Sequence, residues 1–134
     1  MITGDFSSIH CVGALIVDDM RLLTEPEIGM SLISELLDSL SVAMLDSSSY
    51  SFRDQFGLQS GFTAFFLLAE SHIALHTWPE RNCMEVDVYL CNYIHNNRSK
   101  CKAIFNGIIE AFNAQVAHQS CINRPKIAMQ LVHR

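Results

Sequence analysis

Charge is scarce in this sequence, and positive charge is scarcest. Nine Lys and Arg stand against 14 Asp and Glu among 134 residues, 17% charged in all, for a net charge of −5. The cations are scattered, so there is no basic patch for nucleic acid or for an anionic membrane surface. No apolar run approaches the roughly 20 residues needed to span a bilayer. Residues 1–8 lack the basic start and apolar stretch of a signal peptide, so a cytoplasmic protein is expected. With three Pro and six Gly, no linker or low-complexity segment divides the chain. CxxC pairs are absent too. Cys11, Cys83, Cys91, Cys101 and Cys121 make an odd number and are expected as free thiols, most of them packing as small hydrophobes.

What is abundant is apolar side chain, 49% of the residues, ample for the core of a single domain over 1–134. Residues 8–17 read as a first strand, mostly apolar and β-branched towards its end. Residues 18–23 read as a connector. Thr24 as cap, Glu27 three residues on and Pro26 in the first turn open a helix. Its stripe is Ile28, Leu32, Leu36, Leu40 and Met44, with Ile33 and Leu37 beside it, and its expected end is near Leu45. Residues 48–52 read as a short strand, 53–60 as a loop, and 62–69 as a central strand covered on both faces. Strands follow over 72–78 and 84–91, then a helix from Ser99 to about His118 and a closing strand over 126–132. Two helices separated by a run of strands predict an α+β fold: a two-layer sandwich, with both helices on one face of a largely antiparallel sheet.

The chain is organised around Glu70-Ser71-His72-Ile73-Ala74-Leu75-His76-Thr77-Trp78-Pro79-Glu80. From His72 the residues alternate: Ile73, Leu75 and Thr77 on one side, and His72, Ala74, His76 and Trp78 on the other. In the strand over 84–91, Glu85, Asp87, Tyr89 and Cys91 form a second polar face. Three chemistries fit such a surface. His72, His76, Cys83 and Cys91 are zinc-type ligands, although His72 and His76 are about 13 Å apart on a strand, and no metal is expected. Ser71 with a histidine base is a hydrolytic pair, without the G-x-S-x-G context of a nucleophile elbow. Alternatively Ser71 attacks the carbonyl of Glu70, and the resulting ester is eliminated and hydrolysed to a pyruvoyl group. That reaction needs a tightly held Glu-Ser bond and a nearby proton-transfer group, which His76 and Thr63 can supply.

The stretch from Glu70 to Glu80 closely resembles the self-processing site of the short, prokaryotic-type, pyruvoyl-dependent S-adenosylmethionine decarboxylases, Glu-Ser-His-Leu-(Ser/Thr)-Ile-His-Thr-Trp-Pro-Glu. At the same spacing, Val86-Asp87-Val88-Tyr89-Leu90-Cys91 resembles the family's Val-Asp-Val-Phe-x-Cys, and Gly61-Phe62-Thr63 stands where the family has Gly-Val-Ser. The resemblance implies cleavage between Glu70 and Ser71 into chains 1–70 and 71–134, which must stay together because each is too small for a core of its own. Ser71 becomes the pyruvoyl group that forms a Schiff base with the substrate. His76 and Thr63 act in processing, and Cys91 is the catalytic proton donor. A pyruvoyl carbonyl takes up electrons from a breaking Cα–carboxylate bond as a pyridoxal cofactor would. Trp78, Phe56 and Phe62 offer ring faces to a cationic substrate, with Glu80 and Glu85 as acidic neighbours.

The implied product is decarboxylated S-adenosylmethionine, the aminopropyl donor for spermidine, made by a homodimer with each site near the interface. The chain departs from the pattern in three places. Arg81-Asn82-Cys83-Met84-Glu85 replaces Tyr-Gly-Tyr-Ala-Ala, Thr63-Ala64 replaces Ser-Gly, and Asn92 replaces a common Gly. Glu85 adds a negative charge that suits a guanidinium or ammonium group equally, so arginine or ornithine is the alternative substrate. An unprocessed regulatory subunit is the non-enzyme alternative.

Overall fold

The computed structural model describes residues 7–92 and 96–125. Six strands form one sheet: β1 (Ser8–Ile16), β2 (Met44–Arg53), β3 (Gln59–Leu68), β4 (Ser71–Trp78), β5 (Cys83–Cys91) and β6 (Gln115–Arg124). Their order is β2-β3-β4-β5-β1-β6, and every neighbouring pair is antiparallel. Helices α1 (Met20–Thr24), α2 (Pro26–Ser39) and α3 (Arg98–Ala111) cover one face. The expected two-layer α+β sandwich is observed.

Alternation decides which face is covered. Ile9, Cys11 and Leu15 of β1, Phe62, Ala64 and Phe66 of β3, Ile73 and Leu75 of β4, and Met84, Val86 and Val88 of β5 are all buried. They meet Leu23, Ile33 and Leu37 from α1 and α2, and Ile104, Phe105, Ile108 and Phe112 from α3 and its C-cap, in one continuous core. Among the described residues, no helix lies over the opposite face. There Phe65 and Leu67 remain 41% and 44% exposed, so β3 is covered on one side only. The sequence expectation of a doubly covered strand is corrected: an unbroken apolar run here means one face for the core and one open apolar face.

Several boundaries also differ from the sequence reading. Residues 18–23 are no connector. Asp19 accepts the amide of Arg21 and caps α1, which buries Leu22 and Leu23. Thr24 closes α1, its hydroxyl donating to the carbonyl of Met20 at 3.0 Å, and does not cap α2. The N-cap of α2 is Glu25, with Pro26 in its first turn. The second helix ends at Ser39, because Ser41 turns left-handed (φ +57) and Val42 donates back to the carbonyl of Leu37 at 2.9 Å, a Schellman-type stop. Met44 and Leu45 therefore belong to β2. Asn113 (φ +45) ends α3 the same way, so residues 115–118 are strand rather than helix. The closing strand expected over 126–132 lies outside the described residues.

Thr77 ties the helices to the strands that carry the site. It is buried on the core face. Its Oγ accepts the amide of Phe62 at 2.8 Å and donates to the carbonyl of Leu23 at 2.7 Å. Thr77→Val keeps the shape and strands both partners, so it should cost about 1–3 kcal/mol. A urea titration should show this as a lower midpoint with an unchanged slope.

Candidate active site

Two short constellations lie along β4, one at each end. At the first, β3 and β4 are joined by a two-residue turn, with Leu68 opposite Ser71. Of Ala69 and Glu70, only Glu70 has a positive φ, +56. The favoured two-residue hairpin turns place a left-handed residue at the first position, usually glycine or asparagine. A left-handed Glu at the second position is held against its own preference, at a cost of about 1–3 kcal/mol. The strained residue immediately precedes Ser71.

Ser71 is 9% exposed and its Oγ accepts the amide of Cys91 at 3.1 Å. Cys91 is the last residue of β5 and is half-buried. A network fixes that strand end. The Asn97 carboxamide donates to the carbonyl of Cys91 at 2.8 Å, and the Asn97 amide donates to the Asn92 carboxamide oxygen at 2.7 Å. Asn92 is itself 1% exposed and also donates to the hydroxyl of Ser7 at 3.1 Å. A cavity of about 350 Å3 opens beside the turn, and its lining includes Ser41, Glu70, Ser71, Cys91, Asn97 and Lys100.

At the other end, His76 lies opposite Thr63 on β3 and opposite Glu85 on β5, on the open face. The Thr63 hydroxyl and His76 Nδ1 are 3.0 Å apart, and the Trp78 ring centroid is 6.1 Å from that of His76. Thr63, His76, Trp78, Glu80 and Phe52 line a second cavity of about 320 Å3. Phe56 is 77% exposed and lines a further cavity that also reaches Glu80. Glu85 is exposed and shares a cavity with Trp78, Glu80 and Cys83. Phe62 does not join them. It is 1% exposed in the core, on the helix side, so the substrate contact expected of it is corrected.

Ser71 and Cys91 are thus brought together, as are Thr63 and His76, but the two pairs are not. Ser71 and His76 are five positions apart on the strand, about 17 Å, and their side chains leave opposite faces of the sheet. The histidine expected to serve Ser71 is out of its reach within one chain. The residues weighed as zinc ligands are dispersed in the same way. His72 lies opposite Tyr89, while Cys83 lies opposite Trp78 at the far end. Among the described residues, no group of three His, Cys, Asp or Glu is placed to hold a metal ion.

Between the two ends, the open face carries a ladder of rings. His72 stacks on Phe65 and on Tyr89, each at 5.3 Å, and Arg124 lies over Tyr89 at 5.1 Å. His10 Nε2 is 3.6 Å from the Asp87 carboxylate. Burial, and then the proximity of His10, lowers the pKa of His72.

Comparison with known proteins identifies the family. The family model described as S-adenosylmethionine decarboxylase matches residues 9–125. The chain belongs to the S-adenosylmethionine decarboxylase family. An S-adenosylmethionine decarboxylase proenzyme of Pyrobaculum arsenaticum is 35% identical over 101 residues, 75% of this chain and 74% of that protein. One from Pyrococcus horikoshii is 44% identical over 64 residues, 48% of this chain and 43% of that protein. The crystal structure of the adenosylmethionine decarboxylase from Aquifex aeolicus has the same fold. Its TM-score is 0.73 at 24% identity, covering 97% of this chain and 99% of that one.

One departure from the family pattern has a structural reason. Asn82, which stands at the glycine of the Pro-Glu-Tyr-Gly pattern given above, adopts a left-handed conformation (φ +49). Asparagine tolerates that region best after glycine. Two features were not read from the sequence. One is the strained turn, whose signal was the two residues left between adjacent strands. The other is the group Asn92, Asn97 and Lys100, for which the sequence offers one signal, Asn92 at the position of a common glycine. Cys83 is a poor reactive thiol, because burial and then the Glu85 charge push its pKa up.

Proposed function

We propose that this chain cleaves itself between Glu70 and Ser71 and then decarboxylates S-adenosylmethionine with the pyruvoyl group so formed. The observation that carries the proposal is Ser71 itself, with its Oγ held by the Cys91 amide directly after a left-handed Glu70. The Ser71 Oγ adds to the carbonyl carbon of Glu70 and the peptide C–N bond breaks, leaving an ester and a free Ser71 amine. A base removes the Ser71 α-proton, and the Cβ–Oγ bond breaks to release Glu70 as a carboxylate. Water then displaces the amine as ammonia, and a pyruvoyl group caps residue 71. When formed, this group supplies an electron sink for the bond to the departing carboxylate. Cys91 holds the proton that the substrate carbon needs after carbon dioxide leaves.

The separation of the two constellations supports a homodimer. A twofold axis across the strands near Ala74 lays a second copy's β4 antiparallel over the open face. The Thr63–His76 pair of one copy then comes to the strand end of the other that carries the Glu70–Ser71 peptide, whose backbone lies in the sheet between its two faces. Exposed Phe65, Leu67, Tyr50 and Phe52 on that face supply apolar area for such packing. Interleaving supports the two cleaved chains remaining one body, since β1 of chain 1–70 sits between β5 and β6 of chain 71–134.

Release of labelled carbon dioxide from carboxyl-labelled S-adenosylmethionine, set against labelled arginine and ornithine, tests the substrate. Turnover of the first alone is expected. Turnover of arginine or ornithine alone would replace the substrate and keep the mechanism. That second reading has Glu85 in its favour, an exposed carboxylate beside Trp78 and Glu80 that suits a guanidinium or ammonium group. Inertness towards all three, in an uncleaved chain, would favour a regulatory subunit.

A further inference from the structure

We propose that Lys100 is the cation that receives the carboxylate formed on Glu70, and so acts as the leaving-group stabiliser of self-cleavage. The inference rests on the cleavage reading above and assigns a residue to its elimination step. When the Cβ–Oγ bond of the ester breaks, the electron pair stays on Oγ, and Oγ becomes one oxygen of a new Glu70 α-carboxylate. A full negative charge therefore develops within the cavity beside the turn, where Glu70 and Ser71 line the wall together with Lys100. In a chain of net charge −5, a half-buried lysine at that place is unlike the solvated lysines of an ordinary surface.

Three further observations point to the same oxygen. The Cys91 amide already donates to Ser71 Oγ at 3.1 Å, so one donor for the carboxylate is in place before it forms. Lys100 sits in the first turn of α3, a 14-residue helix, whose N-terminal end carries partial positive charge. That turn is fixed to the end of β5 by the Asn97 carboxamide on the carbonyl of Cys91 and by Asn92 on the amide of Asn97. Lys100 and the Cys91 amide therefore keep one relative position.

Chemistry also argues against the other anion in the reaction, the substrate's own carboxylate. A cation paired with a group that must leave as neutral carbon dioxide stabilises the ground state and opposes the step. A cation paired with a carboxylate leaving group favours it, because the charge is present only in the transition state and product.

The test follows cleavage of the full chain made by cell-free synthesis, quenched at intervals and weighed under denaturing conditions, with and without hydroxylamine. Hydroxylamine splits the ester, leaving an ordinary serine at position 71. Lys100→Gln should slow formation of the pyruvoyl chain by at least about tenfold and should accumulate the hydroxylamine-sensitive ester. Lys100→Arg should restore both. Cleavage of Lys100→Gln at the wild-type rate without ester would overturn the assignment. So would equal slowing by Gln and Arg, or a raised KM in the cleaved fraction with normal cleavage. Lys100 is half-buried, and circular dichroism checks the fold. If Lys100→Gln is unfolded, Lys100→Met, which keeps the aliphatic stem, carries the same comparison. A wild-type chain that stays intact is a separate outcome: it removes the cleavage reading, and this inference with it.

Discussion

Ser71→Ala is expected to yield one uncleaved chain of 15.1 kDa with no measurable decarboxylation of any substrate. The effect is total because the substitution removes two things at once, the nucleophile that cleaves the chain and the atoms from which the electron sink is made. Without an electron sink, the pair released by the Cα–carboxylate bond has no acceptor. The fold should survive. The lost hydroxyl leaves the Cys91 amide without its Ser71 partner, worth about 1–3 kcal/mol, against a core that the substitution does not touch. An inert, folded, uncleaved Ser71→Ala is therefore the expected result, and circular dichroism with an intact mass checks it. Residual activity near the wild-type level would mean that Ser71 is not the source of the catalytic group.

The second large effect is complementation between two inert variants. His76→Ala should fail to process, because its Thr63 loses the imidazole 3.0 Å away, and Ser71→Ala fails for the reason above. In a mixed dimer with strands crossed antiparallel, Ser71 of the His76→Ala copy meets Thr63 and His76 of the Ser71→Ala copy. One site is whole and the other is doubly defective. Co-expression should therefore cleave the His76→Ala chain, and only that chain, and recover up to about half of the wild-type activity per mixed dimer. Mass spectrometry identifies the cleaved copy by its substitution. Cleavage of His76→Ala expressed alone would show that no partner is needed. Complete silence on co-expression would remove the crossed arrangement.

Much of this was legible because it depends on period alone. Alternation from His72 to Trp78 and from Glu85 to Cys91 assigned both faces, and the register bears it out: His72 faces Tyr89, and His76 faces Glu85. The pairing of Ser71 with Cys91 and of Thr63 with His76 follows from two hairpins. The distance between these pairs was not legible, because a motif places residues in order and not across a partner. Phe62 looked like a substrate contact beside Thr63, yet neighbours on a strand face opposite ways, and only the covered side is settled by what packs there. Helix ends were missed where a left-handed Ser41 or Asn113 stops the helix, since neither is the glycine usually looked for. The strain at Glu70 was hidden for the same reason, as nothing in a glutamate announces a positive φ.

The most direct measurement is an intact mass of the purified wild-type protein under denaturing conditions, before and after treatment with a carbonyl reagent. The self-cleavage account predicts two chains divided after Glu70. The heavier adduct of the reagent should appear only on the chain that starts at residue 71, which carries no amine at its start. A single chain with an ordinary Ser71, unmodified by the reagent, would contradict it.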